Sequence, residues 1–319
     1  MSEPEVNVGP FIGVDVACKH LDAAAYGAAG VKRVNNTAAS VAAWLEKLPP
    51  GSVIALESTG RLHELLAYAA HARGFTVYLL NPRDVRHYAR GTGMRGKTDR
   101  LDAQVLARFI AREHGELRPW TPQPPEQRAL DELLRRRATL VKHHQGVRLS
   151  VADSPAMKHQ TQALLAEFDR LLSAVDAQIK QAVLRLDAGT HDFKRITSVP
   201  GIGLLSGAAL LGLFRRLAQR GSDAVIAFLG MDLRPMDSGQ KTGLRRMSKR
   251  GPAEWRRLLF NAAMSASRTR TWRTHYEREC AKGLARIAAL NVLARRLVRV
   301  AFALFKSKTA FDPHMVATK

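Results

Sequence analysis

The chain has 319 residues, room for two domains, and no apolar run long enough to cross a bilayer. Its two cysteines, Cys18 and Cys280, form no Cys-x-x-Cys pair, which excludes a zinc-thiolate site or a disulfide frame and fits a reducing, cytoplasmic setting. The net charge of +22 is uneven, with +3 in residues 1–120, +2 in 121–190 and +17 in 191–319, so the last third presents a field suited to a polyanion such as nucleic acid.

The acidic start, "MSEPEVNVGP", carries neither a signal nor a transit pattern. "FIGVDVA" (11–17) predicts a buried strand, and "LDAAAYG" (21–27) and "VKRVNN" (31–36) complete a three-strand meander. "TAASVAAWLEKL" (37–48) has helical spacing with Thr37 as N-cap and "PPG" as its stop. A strand at 52–58, a helix at 61–74 and a strand at 75–81 follow. "PRDVRHYARGTGMRG" (82–96) reads as a basic, glycine-rich connection, and "TDRLDAQVLARF" starts a helix that runs to about residue 114. The order βββαβαβα argues against a Rossmann unit, which alternates from its first strand, and for a mixed sheet of the ribonuclease H-like (RuvC-like) kind.

Prolines crowd "LRPWTPQPPEQ" (117–127), a linker signal. Residues 128–150 and 158–187 carry helical periodicity broken at Ser154-Pro155, which predicts a helical hairpin: a coiled arm or a packed spacer. The remainder reads as mainly helical, with "VPGIG" (199–203) between two helical stretches, a basic loop at 231–251 and a long amphipathic helix at 283–306. The predicted organisation is a catalytic domain at 1–118, a linker and helical arm at 119–190, and a C-terminal domain at 191–319.

Four carboxylates stand out. Asp15 lies within an apolar strand and Glu57 ends another, where an unpaired charge is costly. Asp99 and Asp102 are one helical turn apart on one face. Taken alone, "TDRLD" is best read as a capped helix start, because acids favour the first turn. With the first and fourth strands adjacent, however, the four would repel unless a divalent cation joined them, and oxygen-only ligands select Mg²⁺ or Mn²⁺. Such sites serve phosphoryl transfer. Asp22 also falls on a strand, but alternation is expected to turn it outward, and it is left out of the set.

"VPGIG" resembles a helix-hairpin-helix turn, in which Gly201 and Gly203 let backbone amides approach a phosphate; an ordinary tight turn is the alternative. In "DSGQKTGLRRMSKRG" (237–251), Ser238 is followed by Lys241, Arg245, Arg246, Lys249 and Arg250. Spacing alone makes this a phosphate-binding loop. A nucleophilic role for Ser238, or for Ser248, requires activation of the hydroxyl and neutralised charge. His143 and His144 lack ligand spacing and read as surface residues; Trp44, Trp120, Trp255 and Trp272 read as core or interface anchors.

Together, "GVDVACKHLDAA", "ALESTG", "NPRDVRHYARGTGMRGKTDRLDAQVLA", "VPGIG" and "DSGQKTGLRRMSKRG" resemble, over nearly the whole chain, the DEDD insertion-sequence transposases of the IS110 type, the family that also holds the Piv pilin-gene invertase. The resemblance implies a RuvC-like domain with Asp15, Glu57, Asp99 and Asp102 as its Mg²⁺-binding quartet, and a C-terminal domain with Ser238 as nucleophile. It implies DNA strand cleavage and exchange through a phosphoserine link, at a site composed across subunits of a dimer or tetramer. Donor and target DNA would be partners, as would a "bridge" noncoding RNA of the kind that directs some family members. A nucleoid-associated location in the cytoplasm follows. Two departures are visible: Cys18 stands where members usually carry Lys, with Lys19 next, and "PAEWRRLLF" has Trp255 within the helix after the serine loop. Two other functions remain open to test: a RuvC-like structure-selective DNA endonuclease, and a non-catalytic nucleic-acid-binding remnant.

Overall fold

The computed structural model describes residues 9–58, 60–93, 99–235 and 245–314, with the side chains of residues 99 and 100 left aside. The chain divides into two compact units, Met1–Pro122 and Gln123–Lys319.

The first unit opens with β1 (Phe11–Val16), β2 (His20–Ala25) and β3 (Val31–Asn35), joined by short turns. Turns that short can only reverse the chain, so both pairings are antiparallel. Next come α1 (Ala38–Leu45), β4 (Val53–Glu57), α2 (Glu64–Ala72) and β5 (Thr76–Leu80). The helical crossovers return β4 parallel to β1 and β5 parallel to β4. The sheet order β3-β2-β1-β4-β5 is that of a ribonuclease H-like unit. Thr37 starts α1 as its sequence suggests, its hydroxyl oxygen accepting the Ser40 N–H.

Alternation divides the side chains between two buried faces. Ile12, Val14, Ile54 and Leu56 pack with Trp44, Leu45 and Leu66 on the α1–α2 side. Val53 and Ala55 pack with Val105, Leu106 and Ile110 on the other. Burial on both faces is why these strands read as near-continuous apolar runs.

One expected connection is a helix. Residues 82–96 were read as a basic link, but α3 spans Pro82–Gly91. Asn81 accepts the Arg83 N–H as N-cap, Pro82 opens the first turn, and Val85 is buried while Tyr88 stacks on Phe109 at 4.6 Å. The charged residues that disguised this helix form its solvent face.

α4 (Asp99–Glu113) lies along β1 on the Val53–Ala55 side of the sheet. A Cβ on Gly13 would sit 2.1 Å from the Ala107 nitrogen and 2.2 Å from the Ala103 oxygen. Glycine at this position lets helix backbone rest directly on strand backbone.

Among the described residues, the second unit is helical apart from one short two-stranded ladder. Its elements are α5 (Pro125–Ser150), α6 (Lys158–Leu186), α7 (Asp192–Thr197), α8 (Leu204–Arg216), α9 (Ser222–Phe228), β6 (Leu233–Pro235), β7 (Arg245–Met247), α10 (Ala253–Ala266), α11 (Arg270–Ala281) and α12 (Arg286–Ser307). α12 runs through the core, burying Leu293, Leu297, Ala301 and Phe302. Phe214 of α8 meets Phe302 edge-on at 5.2 Å. α5 and α6 pack side by side, with Arg137 paired to Asp176. Leu130 and Leu134 of α5 and Ile179 and Val183 of α6 join the core. Farther along the pair, Leu149, Met157, Leu164 and Leu171 are exposed. Among the described residues no helix is long and apolar enough to cross a membrane.

Trp44 and Trp272 are buried core residues, while Trp120 meets Tyr68 edge-on and Trp255 packs near Phe228. His143 is exposed; His144 is half-buried, 3.5 Å from Asp169 and edge-on to Phe168.

Candidate active site

Register places the strand-borne acids together. Val14 of β1 pairs with Leu56 of β4. The residues that follow, Asp15 and Glu57, therefore lie side by side near the C-terminal ends of neighbouring parallel strands, about 4.8 Å apart in backbone. Both share the parity of Gly13 and Ala55, the residues facing α4.

The direction of α4 brings the second pair of acids to the same end. Phe11, at the start of β1, lies 4.8 Å from the His114 ring, just beyond the C-terminus of α4. Ala103 and Ala107 sit over Gly13. The N-terminal turn of α4, with Asp99 and Asp102, accordingly points toward the end of β1 that carries Asp15. The side chains of Asp15, Glu57 and Asp102 are half-buried, and that of Asp99 lies outside the described residues. Among the described residues no cluster of three or more His, Cys, Asp or Glu side chains is arranged to hold a metal. The donor chemistry nonetheless fits a hard divalent cation: carboxylates from two strand ends and one helix turn, with no imidazole or thiolate among them.

Asp22 corrects the expectation that it faces outward. It pairs directly with Asp15 across β1 and β2, which puts both on the α4 face, and it is only 3% exposed. Arg33, opposite it on β3, donates to both carboxylate oxygens, Nε to Oδ1 at 2.8 Å and Nη2 to Oδ2 at 2.7 Å. That bidentate bond holds the Asp22 carboxyl below the usual range, against the opposing effect of burial. The sequence signal was present as three period-two strands, but the register that opposes Asp22 to Arg33 is a tertiary fact.

α3 carries the basic residues of the expected connection on a helix. It begins where β5 ends, at the end of the sheet that carries Asp15 and Glu57, and it exposes Arg83, Arg86, His87 and Arg90. Cys18 and Lys19 sit in the β1–β2 turn and are exposed.

In the second unit, Ser238 and Lys241 lie outside the described residues, but the stem of their loop is defined. β6 and β7 pair through Leu233–Met247, Arg234–Arg246 and Pro235–Arg245. Below the ladder, Ser248 N–H donates to the Asp232 carbonyl at 3.0 Å, and Lys249 N–H to the Gly230 carbonyl at 2.9 Å. The Ser248 hydroxyl also bonds the Asp232 carboxylate. Lys249 adopts φ +52°, a left-handed conformation that turns the chain out of β7. Arg245, Arg246, Lys249 and Arg250 are exposed around this stem.

The turn at "VPGIG" joins α7 to α8. Gly201 has φ +99°, and a Cβ there would lie 2.5 Å from that of Ala266 on α10, so this glycine serves a close helix contact. Gly203 is exposed with open space around its Cα, and its N–H donates to the Ser206 hydroxyl at 3.1 Å.

A ribonuclease H-like unit with acids at its strand ends, followed by a basic helical unit, defines a nucleic-acid strand-processing protein. Residues 12–152 match the IS110 DEDD model described as "Transposase", and residues 193–277 match the model "Transposase IS116/IS110/IS902 family". The chain belongs to this family of DEDD transposases. It is 26% identical over 268 residues to the pilin gene-inverting protein of Moraxella bovis, covering 81% of each chain. It is 25% identical over the same length to the pilin gene-inverting protein of Moraxella lacunata, again covering 81% of each. With the transposase for insertion sequence element IS1111A of Coxiella burnetii it shares 26% identity over 230 residues, 61% of this chain and 60% of that one.

Proposed function

We infer that the chain cuts and exchanges DNA strands with a Mg²⁺ or Mn²⁺ site formed by Asp15, Glu57, Asp99 and Asp102 and a nucleophilic Ser238. The observation that supports this reading is that the N-terminal turn of α4 points toward the end of the sheet that carries Asp15 and Glu57. A cation held there would polarise phosphate oxygens and neutralise charge. Supporting the serine role, a hairpin stem lined by Arg245, Arg246, Lys249 and Arg250 holds the Ser238 loop. Ser248 is the second candidate, its hydroxyl donating to the Asp232 carboxylate below the ladder. Gly201 and Gly203 belong to the proposed helix-hairpin-helix turn, where the exposed backbone is at Gly203.

The functional domains proposed are 1–118 for metal chemistry, 119–190 for an arm and 191–319 for the serine and phosphate contacts. Exposed Leu164 and Leu171, seven residues apart on α6, support reading the α5–α6 pair as a coiled oligomerisation arm, with the acids of one subunit working with the serine of another. The concentration of charge in the last third supports a structured guide RNA as a second polyanion partner beside donor and target DNA.

The test is a joining reaction. The chain is incubated with Mg²⁺, the noncoding RNA flanking its gene, and donor and target plasmids, and the junctions are sequenced. Joined junctions that vanish in both Asp102→Asn and Ser238→Ala are the expected result. For Asp102→Asn, cleavage should fall by about a hundredfold or more while circular dichroism and nucleic-acid binding stay at parent levels. Cleavage without joining, unchanged in Ser238→Ala, would instead identify a structure-selective nuclease. Binding without cleavage would identify a non-catalytic remnant. Joining that survives Ser238→Ala and is lost in Ser248→Ala would move the nucleophile to Ser248.

A further inference from the structure

α11 and α12 enclose a cleft of about 370 Å³ lined by His275, Arg278, Glu279, Lys282, Val292, Arg295, Arg296 and Arg299. Five of these eight side chains are cationic and one is anionic. α12 itself, "RIAALNVLARRLVRVAFALFKS", carries five cations and no acid. Cations gathered this closely repel one another, and the described residues relieve little of that repulsion. Glu279 is bonded to Lys282 at 2.8 Å, Arg299 reaches the exposed Asp223 at 3.0 Å, and Arg278 contacts His275 Nδ1 at 3.0 Å. Two donors are left over: Arg296 Nε and His275 Nε2 are buried without a hydrogen-bond partner. The crowding also shows in acid-base terms. Burial, then Arg296 and Arg278, push the His275 imidazole below its usual range, and burial and Arg299 do the same to the Arg295 guanidinium.

We propose that this cleft is a binding site for a backbone phosphate of a polynucleotide. A phosphodiester oxygen would accept from Arg296 and its neighbours, reversing the unfavourable charge balance. The lining identifies the ligand as backbone rather than base or nucleotide cofactor. Val292 is its one apolar side chain and no Phe, Tyr or Trp offers a stacking surface, so the cleft positions a strand without reading it. Apart from His275, the lining residues lie beyond the residues 193–277 that match the transposase model. The proposal rests on the reading that the chain handles nucleic acid, and it adds where one strand is gripped.

The test measures dissociation constants of the full chain for a 30-base-pair DNA duplex and for a structured RNA of similar length, by fluorescence anisotropy across a salt series. For whichever polynucleotide uses the cleft, Arg295→Gln/Arg296→Gln should lower the slope of log K against log salt by about one to two units and weaken binding roughly tenfold near 150 mM salt. Arg278→Gln/Lys282→Gln, on the exposed rim, should act in the same direction with the melting transition unchanged, which keeps the test valid should the first pair disturb packing. Loss with DNA alone, RNA alone or both assigns the strand. Parent slopes for both polynucleotides in both double variants would overturn the site. Failure of the unsubstituted chain to bind either would instead overturn the functional reading, and Asp102→Asn, with its slope intact, separates metal chemistry from grip.

Discussion

Each unit uses a glycine to bring backbone against backbone beneath a functional element, and the two cases differ in what surrounds the contact. Gly13 lies mid-strand under α4, between two regular elements buried on both sides. Gly251 lies at the foot of the β6–β7 hairpin, where a Cβ would come within 2.0 Å of the Phe228 carbonyl oxygen and 2.5 Å of the Leu229 carbonyl carbon. The start of α4 is thus set by a helix laid on a sheet, whereas the β6–β7 ladder stands on a pinched base. Rigid elements transmit a misfit to the whole unit, whereas a stem can absorb it locally.

The largest effect is expected at Gly13. Gly13→Ala would drive a methyl into the Ala103–Ala107 backbone, which cannot rotate away. A loss of about 3 kcal/mol or more is expected, lowering the first unit's melting transition by roughly 10–20 °C in calorimetry of the full chain. An unshifted transition would mean that α4 does not rest on β1, and the proposed four-acid site would fall with it.

At Gly251 the effect should be confined to the second unit. Gly251→Ala should leave the first unit's transition in place, because the clash involves the Phe228–Gly230 turn alone. Strand joining should drop roughly a hundredfold, the scale of an ångström-sized misplacement of a reacting group. Joining at the parent rate would show that the stem does not position the loop.

The same contrast explains what could be read from the sequence. The strands, the crossovers and the pairing of β1 with β4 follow from period-two runs separated by turn and helix signals, so Asp15 and Glu57 could be set side by side from order alone. The start of α4 was legible from "TDRLD", but the direction of its acids depends on Gly13, whose role is visible only when α4 lies on it. α3 was hidden because its exposed arginines outnumber Val85 and Tyr88, so that a strongly amphipathic segment is polar on average. Asp22 was misplaced for a related reason: alternation gives the parity of a residue and says nothing of Arg33 opposite it on the neighbouring strand. The cleft between α11 and α12 was unreadable, because cations spaced for a solvent face look the same in sequence whether or not another helix faces them.

The smallest effect separates the units by their buried carboxylates. Asp22, bonded to Arg33, has its folded-state pKa lowered, so it contributes stability above the unfolded value near 3.8 that is lost as pH falls through the folded one. Asp131, buried in the second unit, has its pKa raised, chiefly by burial, which outweighs the bond from Gln127 Nε2 to its Oδ1 at 2.9 Å. Its sign is the reverse: the contribution is most favourable below pH 3.8 and is lost as pH rises through the folded value. Asp131→Asn keeps the shape and an acceptor for Gln127 while removing the charge. It should therefore stabilise the second unit at pH 7 by about 1 kcal/mol, a gain of roughly 2–4 °C in melting temperature, with the gain shrinking toward pH 4. Asp131→Ala should instead destabilise at both pH values, because Gln127 Nε2 would lose its acceptor and Gln127 Oε1 is already buried without a partner. An Asn variant less stable at pH 7 than at pH 4, relative to the parent, would mean that this carboxylate is held by charge as Asp22 is, and that the second unit tolerates a buried anion because its own cations surround it.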